Sequence, residues 1–264
     1  MGEGRRVVSV VTPILDPRPD YLRQAYESLV AQQLPAGWEW EWVVQEDGRT
    51  GEVARLLPPD PRVRVGTGRP RSGVGQTRNM ALARSRGELV KAFDGDDVMG
   101  KGVLARDIRV LGGDRTGATG EGAVQWTTSR ALDLLPDGST VASEHDPEPG
   151  RLEPGAVADY WRTHGYRLPV HGVTLCIRRS LLVALGGWMG VPGSDDTGLV
   201  VAASVVSSGY FHGEVGLYYR KWPGQVTAQA THTEPGEWNA RMRLIEERGE
   251  ALRRIWTWTK GEES

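Results

Sequence analysis

The sequence predicts an α/β fold with a Rossmann-like, mostly parallel central sheet flanked by helices, in a single domain. Strand-like and helix-like segments alternate over about the first 110 residues, the order that produces a parallel sheet covered on both faces. The chain has 264 residues and is 39% hydrophobic, which is enough for one large core. Acidic residues follow two of the predicted strands, and the carboxyl ends of parallel strands are where such sheets bind ligands.

Each early element has its own local signal. The β-branched run Val7–Thr12 is stopped by Pro13 and predicts the first strand, and apolar residues at helical spacing predict a helix over Tyr21–Gln32. The second strand, Trp40–Val44, is followed by a turn signal at residues 47–48. The further predicted strands are Val63–Val65, Leu89–Phe93, Val124–Thr127 and Val173–Ile177, and the further helices are Thr77–Ser85, Arg179–Leu185, Thr197–Val206 and 237–258.

Composition restricts the partners and the compartment. A formal net charge of −2 argues against a general nucleic-acid binder. Because Cys176 is the only cysteine, an internal disulfide is excluded, which fits a reducing compartment. No apolar run nears the length of a membrane span, so we expect a cytoplasmic protein with no transmembrane segment. The charged helix pattern at 237–258 makes a homodimer a further expectation.

The clearest indication of chemistry is the acidic turn of residues 94–97, Asp94-Gly95-Asp96-Asp97, which directly follows a predicted strand. Carboxylates this close together repel one another unless a cation or a polar ligand lies among them, and hard oxygen ligands suit Mg²⁺ or Mn²⁺. We expect Asp96 to bind the metal, and Asp94 to accept hydrogen bonds from ribose hydroxyls or to hold the cation through water. The alternative is a solvated turn with no ligand.

Two other places on the predicted nucleotide side carry polar residues. Asp47 stands where a base or ribose would reach the second strand, although an Asp before a glycine is equally well explained as a turn residue. Arg78 and Asn79 follow a loop that contains glycines; the arginine suits a phosphate, and the asparagine suits the backbone of a neighbouring loop. The alternative for this pair is ordinary polarity near the start of a helix.

A second acidic pair occurs about a hundred residues later. Asp195 and Asp196 open a predicted helix, and a carboxylate that faces an acceptor hydroxyl can remove its proton as the hydroxyl attacks. We expect Asp196 to be this base and Asp195 to help bind the acceptor, the alternative being an N-terminal cap. Trp188 is a candidate platform for a sugar ring, and His232 a candidate to complete the metal shell.

The order of these motifs resembles that of the family 2 glycosyltransferases of the GT-A fold. Val8–Pro13 is similar to the strand under the nucleotide, Glu46-Asp47-Gly48 to the turn that contacts the base, and residues 94–97 to the metal motif. Gly186-Gly187-Trp188 followed by Asp195-Asp196 is similar to the region whose second acid is the base. The family more often has Glu at the position of Asp195, which leaves the choice between the two acids open.

The resemblance implies an enzyme that moves a sugar from a nucleotide-diphosphate sugar to an acceptor hydroxyl, with inversion and with Mn²⁺ or Mg²⁺. A UDP-sugar is favoured, and the acceptor is a glycan, a lipid-linked intermediate or a small natural product. It also implies a nucleotide-sugar-binding half (1–111), an acceptor-side half (112–233) and a C-terminal helix (234–264). The implied donor-binding residues are Pro13, Asp47, Arg78, Asp94, Gly95 and Trp188.

Two other functions compete with this one. A non-catalytic nucleotide-sugar-binding protein would keep the pocket without a working base. A sugar nucleotidyltransferase would also use magnesium, but it needs a glycine-rich, arginine-containing loop after the first strand, and residues 13–20 do not provide one.

Overall fold

One mixed sheet with helices on both faces forms the centre of the molecule. The computed structural model describes residues 5–113, 123–225 and 234–261. The strands are β1 Arg6–Ile14, β2 Trp38–Glu46, β3 Val63–Thr67, β4 Leu89–Ala92, β5 Val98–Met99, β6 Val124–Leu134, β7 Thr140–Ala142, β8 Gly150–Leu152, β9 Cys176–Arg178 and β10 Ser208–Arg220. The helices are α1 Pro19–Val30, α2 Glu52–Leu56, α3 Val74–Arg84, α4 Val103–Leu111, α5 Ala156–Thr163, α6 Arg179–Ala184, α7 Asp195–Val206 and α8 Pro235–Gly261, and a 3₁₀ turn spans Gly172–Thr174.

The strand order along the sheet is β3-β2-β1-β4-β9-β6-β10-β5. The first four strands are parallel, as expected for strands joined by helical crossovers. β9 then enters antiparallel to both β4 and β6, and β5 is antiparallel to β10. The sheet is continuous through both halves of the chain, which confirms the α/β prediction, but the parallel arrangement dominates only in the first half.

The hydrophobic core consists of one layer on each face of the sheet. Alternate residues of β1 enter different layers, because successive side chains of a strand point to opposite faces. Val8 and Val10 pack with α1 and α4, and Val11 packs with α5 and α7. The parallel strands are therefore covered by helices on both faces of the sheet.

Several elements differ from the sequence prediction. β6 extends seven residues past the predicted end at Thr127, to Leu134. The predicted strand Val173–Ile177 splits into the 3₁₀ turn and the short β9. α4, α5 and the long β10 were not predicted. β10 lacks a clean alternation because its pairing with β6 shifts register between His212 and Leu217.

The C-terminal helix packs on the same domain. The predicted helix at 237–258 is confirmed as α8, and Met242 and Ile245 lie in the core beside α7. Leu244 and Ile255 of this helix are exposed. No helix in the described ranges is long and apolar enough to cross a membrane.

Candidate active site

The predicted site residues of the first half lie at one edge of the sheet. β1 and β2 are in register with Pro13 opposite Gln45, and β1 and β4 with Val11 opposite Ala92. The segments that follow β2 and β4 therefore leave the sheet at the same edge, opposite Ile14 and Val11 of β1. Asp47 begins one of these segments, and its backbone N–H donates to the Ile14 carbonyl at 2.6 Å.

Asp47 fixes the loop that leads into α3. Its carboxylate oxygens accept the backbone N–H groups of Ser72 at 2.7 Å and Gly73 at 3.1 Å, and its side chain is nearly buried. The carboxylate thus positions the loop directly before Val74, where α3 begins. Contact with a nucleotide base, predicted for Asp47, would have to use the lone pairs that these two bonds leave open.

Arg78 joins the two acidic clusters. Its guanidinium donates to Asp94 Oδ1 at 2.6 Å and to Asp195 Oδ2 at 2.7 Å. Arg78 and Asp195 are each only 3% exposed, so this is a buried ion pair between residues 117 positions apart. The expectation that Arg78 would meet a phosphate is corrected here: a buried cation needs charge partners, and the two carboxylates supply them.

The charges of this cluster shift one another's protonation. Burial alone would lower the pKa of Arg78, but the carboxylates of Asp94, Asp195 and Asp196 outweigh it and raise that pKa. Burial raises the pKa of Asp195 to about 6 against the lowering effect of Arg78, and the charge of Asp196 adds to the rise. Asp195 is therefore a carboxylate that Arg78 holds in its charged form at neutral pH.

The acidic turn after β4 contacts the segment that follows β10. Asp96 Oδ2 accepts the indole N–H of Trp222 at 2.8 Å, and its backbone carbonyl accepts from Arg220 Nε at 2.7 Å. Asp97 Oδ1 accepts the backbone N–H of Arg220 at 2.8 Å. Burial, with the charge of Asp94, raises the pKa of Asp96; burial and both neighbouring acids raise that of Asp97 well above its usual range.

The residues of the turn fit a cation that arrives with phosphate ligands. Asp94 and Asp96 each keep one carboxylate oxygen that makes no hydrogen bond within the described part of the chain. In these same ranges, no group of three or more His, Cys, Asp or Glu side chains is arranged to hold a metal ion. Magnesium commonly binds through one or two carboxylates, completed by substrate phosphates and water. The predicted ligand His232 lies outside the described residues.

Asn79 and Gly187 clamp the segment before the second acidic pair. Asn79 accepts the backbone N–H of Trp188 and donates to its carbonyl, both at 2.9 Å, which confirms the predicted bond to a neighbouring loop. Gly187 has a φ of +77°, and a Cβ there would lie 2.2 Å from Asn79 Oδ1, so a side chain is excluded. Trp188 is 2% exposed and lies in the core, which corrects its prediction as a sugar platform.

Comparison with known proteins finds glycosyltransferases and polysaccharide biosynthesis proteins among the similar sequences. Residues 9–122 match the model described as glycosyl transferase family 2. The putative teichuronic acid biosynthesis glycosyltransferase TuaG of Bacillus subtilis (strain 168) is 30% identical over 115 residues, covering 42% of this chain and 44% of that protein. The O-antigen biosynthesis protein RfbC of Myxococcus xanthus is 26% identical over 223 residues, covering 82% of this chain and 16% of that protein.

A solved structure shows the same fold. S. aureus TarS 1–349 in complex with UDP-GlcNAc superposes with a TM-score of 0.65 and 19% identity, covering 95% of this chain and 71% of that chain. The match over residues 9–122 supports the predicted resemblance to glycosyltransferase family 2. The architecture of the chain is the GT-A fold. The chain spans less than half the length of each of these two curated relatives.

The two acids of the second cluster have different surroundings. Asp195 is buried against Arg78, whereas Asp196 is partly exposed and has no ion pair in the described ranges. Asp196 Oδ1 accepts the N–H of Thr197 at 2.7 Å, and Oδ2 faces Gly172, where a Cβ would lie 2.4 Å away. Asp196 is therefore the more exposed acid of the pair, and its Oδ2 makes no hydrogen bond within the described residues.

Sequence reasoning missed His171 and Trp222 as parts of the site. The Trp222 indole donates a hydrogen bond to Asp96. His171 directly precedes Gly172, the glycine that packs on Asp196. Burial lowers the pKa of His171, although the carboxylates of Asp196 and Asp94 oppose this. The signal available in the sequence was the adjacent Gly172, since a glycine marks a close approach.

Proposed function

We propose that this chain transfers a sugar from a nucleotide-diphosphate sugar to an acceptor hydroxyl, with inversion at the anomeric carbon and with Mn²⁺ or Mg²⁺ as cofactor. The observation that carries the proposal is the buried Arg78 bridge between Asp94 and Asp195. It joins the acidic turn expected to meet the diphosphate to the start of α7, where the expected base lies. A donor and an acceptor bound at these two places would be adjacent.

The acidic turn is the proposed diphosphate site. As the sugar leaves, negative charge develops on the diphosphate, and a divalent cation would offset that charge. Asp96 is the proposed protein ligand, with Asp94 as a second ligand or a ribose partner, and His232 stays a proposal for the same shell. The Trp222 indole supports this role, because its 2.8 Å hydrogen bond fixes the Asp96 carboxylate while leaving the other oxygen free.

Asp196 is the proposed base. An inverting transfer needs a group that takes the acceptor proton as the oxygen attacks the anomeric carbon from the side opposite the diphosphate. Asp196 supports this role because it is partly exposed at the first turn of α7 and its Oδ2 makes no hydrogen bond within the described residues. Asp195, which we had expected to bind the acceptor, has its carboxylate engaged by Arg78 and is better described as a positioning residue.

A UDP-sugar is the favoured donor and a glycan the favoured acceptor. TarS, which has the same fold and 19% sequence identity, is described in complex with UDP-GlcNAc, which supports a UDP-sugar as the donor. The names of two relatives refer to teichuronic acid biosynthesis and O-antigen biosynthesis, which favours a glycan over a small natural product. A lipid-linked intermediate stays among the candidate acceptors.

Calorimetric titration with UDP, GDP and dTDP, each with Mn²⁺ and with a chelator, tests the donor site. We expect one of the three nucleotides, with UDP the favoured one, to bind in the presence of Mn²⁺ and to lose most of its affinity when the chelator replaces the metal. Tight binding that is the same with and without metal would refute metal dependence. The absence of binding by all three nucleotides would refute the donor site itself.

A further inference from the structure

The imidazole of His171 has one ring nitrogen without a hydrogen-bond partner among the described residues. Its nitrogen Nδ1 is buried and makes no hydrogen bond within the described ranges, yet the residue as a whole is partly exposed. Nε2, in contrast, is not among the buried nitrogens that lack a partner in the described residues. A buried polar atom without a partner is costly, so each one in a native protein calls for an explanation such as strain, a catalytic role or an ordered water.

The position of His171 is fixed by its backbone. The His171 carbonyl accepts the N–H of Thr174 at 2.9 Å and its hydroxyl at 2.7 Å, closing the 3₁₀ turn. The Thr174 carbonyl in turn accepts from the buried Lys91 ammonium at 2.6 Å. The ring packs against Tyr219, with 4.6 Å between ring centroids and 52° between planes. The imidazole is thus held by the turn on one side and by β10 on the other.

The neighbouring Gly172 places His171 beside the second acidic pair, because a Cβ on Gly172 would lie 2.4 Å from Asp196 Oδ2. Arg78 joins Asp195, the residue before Asp196, to Asp94 of the first acidic cluster. The carboxylates of Asp196 and Asp94 raise the pKa of the imidazole, whereas burial and the Lys221 ammonium lower it. Asp94 belongs to the proposed diphosphate site and Asp196 is the proposed base. A group near both carboxylates lies beside the volume where the transferred sugar would sit, because the anomeric carbon must be between the leaving diphosphate and the base.

The ring's protonation state suits a sugar hydroxyl. Nδ1 has no acceptor for a proton in the described part of the chain. An unpaired lone pair on this nitrogen costs less than an unpaired N–H, which favours the tautomer without a proton on Nδ1. The proton then resides on Nε2. A neutral imidazole in this tautomer presents one N–H donor to the site.

We propose that His171 is a substrate-contacting residue whose Nε2–H donates a hydrogen bond to a hydroxyl oxygen of the donor sugar. This inference rests on the proposed function, because it places the sugar between the diphosphate at Asp94 and the base Asp196. It assigns His171 to the sugar ring and not to the nucleotide.

Four variants test this assignment. His171→Ala removes the donor. His171→Gln returns an amide N–H near the position of Nε2, whereas His171→Asn returns one only near Nδ1. His164→Ala is the matched control, since His164 is an exposed histidine stacked on Tyr160 away from the acidic clusters. Calorimetry with Mn²⁺ measures the dissociation constants of UDP, UDP-N-acetylglucosamine, UDP-glucose and UDP-galactose for each protein.

We expect His171→Ala to weaken the best-bound UDP-sugar about tenfold, the worth of one hydrogen bond, and to leave UDP within about twofold. His171→Gln should recover most of the lost UDP-sugar affinity. His171→Asn should bind the UDP-sugar as weakly as His171→Ala, and His164→Ala should bind it as tightly as wild type. A parallel loss of UDP affinity, or an unchanged UDP-sugar affinity, would overturn the inference. If wild type binds none of these ligands, the proposed function fails first and the inference with it.

Discussion

Replacing Arg78 with methionine tests the link between the two acidic clusters. Methionine keeps most of the buried methylene packing but removes the only cation that contacts Asp94 or Asp195 in the described ranges. Removing one partner of a buried ion pair costs about 3–5 kcal/mol, because the other charge stays buried. Because the free energy of unfolding of a domain is roughly 5–15 kcal/mol, we expect Arg78→Met to fold but to lose a large part of its stability.

The loss should depend on pH. Burial raises the pKa of Asp195 to about 6 while Arg78 lowers it, so removing Arg78 raises it further. An acid whose folded pKa exceeds its unfolded value loses stability as the pH rises between the two values. In wild type that window lies between about 4 and about 6, and in Arg78→Met it extends upward. Each unit by which the variant raises the pKa of Asp195 lowers the free energy of unfolding by about 1.4 kcal/mol at pH 8 and by little at pH 5.

Urea unfolding followed by tryptophan fluorescence at pH 5 and pH 8 measures this difference. The matched control is Arg23→Met, which breaks an exposed ion pair with Glu27 and should change stability by less than about 0.5 kcal/mol at either pH. The reasoning is refuted if Arg78→Met loses no more than the control, or if its loss is the same at both pH values.

Three further predictions follow from single contacts. Lys91→Met leaves Asp107 charged in the core and should lower the free energy of unfolding, measured in urea, by about 3–5 kcal/mol. The double variant Lys91→Met with Asp107→Leu should recover most of this loss. No recovery would mean that the other contacts of the pair matter more than the ion pair. Gly172→Ala places a Cβ against the Asp196 carboxylate and should lower the rate of sugar transfer about 100-fold while UDP affinity is retained. An unchanged rate would show that Gly172 does not position the base. Asp96→Ala should abolish the Mn²⁺-dependent part of UDP binding, and calorimetry showing unchanged binding would remove Asp96 from the metal site.

Local sequence signals were sufficient for the nucleotide side of the fold. The first strand, the second strand and α1 have strong hydrophobic patterns bounded by turn residues, and each was located to within a few residues. β10 was not predicted because its sequence contains three glycines and its pairing is irregular, so strand alternation is lost. Its place in the sheet depends on pairing with β6 about eighty residues earlier, which no local pattern encodes.

The site shows the same division. Asn79 was correctly expected to bond a neighbouring loop, because an amide after a glycine-containing loop has few other roles. Arg78 was assigned to phosphate because its partner Asp195 is 117 residues away, and residue type alone does not choose between two anions. Trp188 follows two glycines, a pattern that serves a platform or a core residue equally, and only the packing of α7 and α8 buries it.

The most direct test of the account is the release of UDP from a UDP-sugar by wild type, Asp196→Asn and Asp195→Asn, with UDP affinity measured alongside. Water can replace the acceptor in this assay, and it also needs a base. We predict that wild type releases UDP and that Asp196→Asn binds UDP normally but releases it at least about 100-fold more slowly, the size expected for a lost general base. Full activity of Asp196→Asn would contradict the account. UDP binding with no release by wild type would instead indicate a non-catalytic nucleotide-sugar-binding protein.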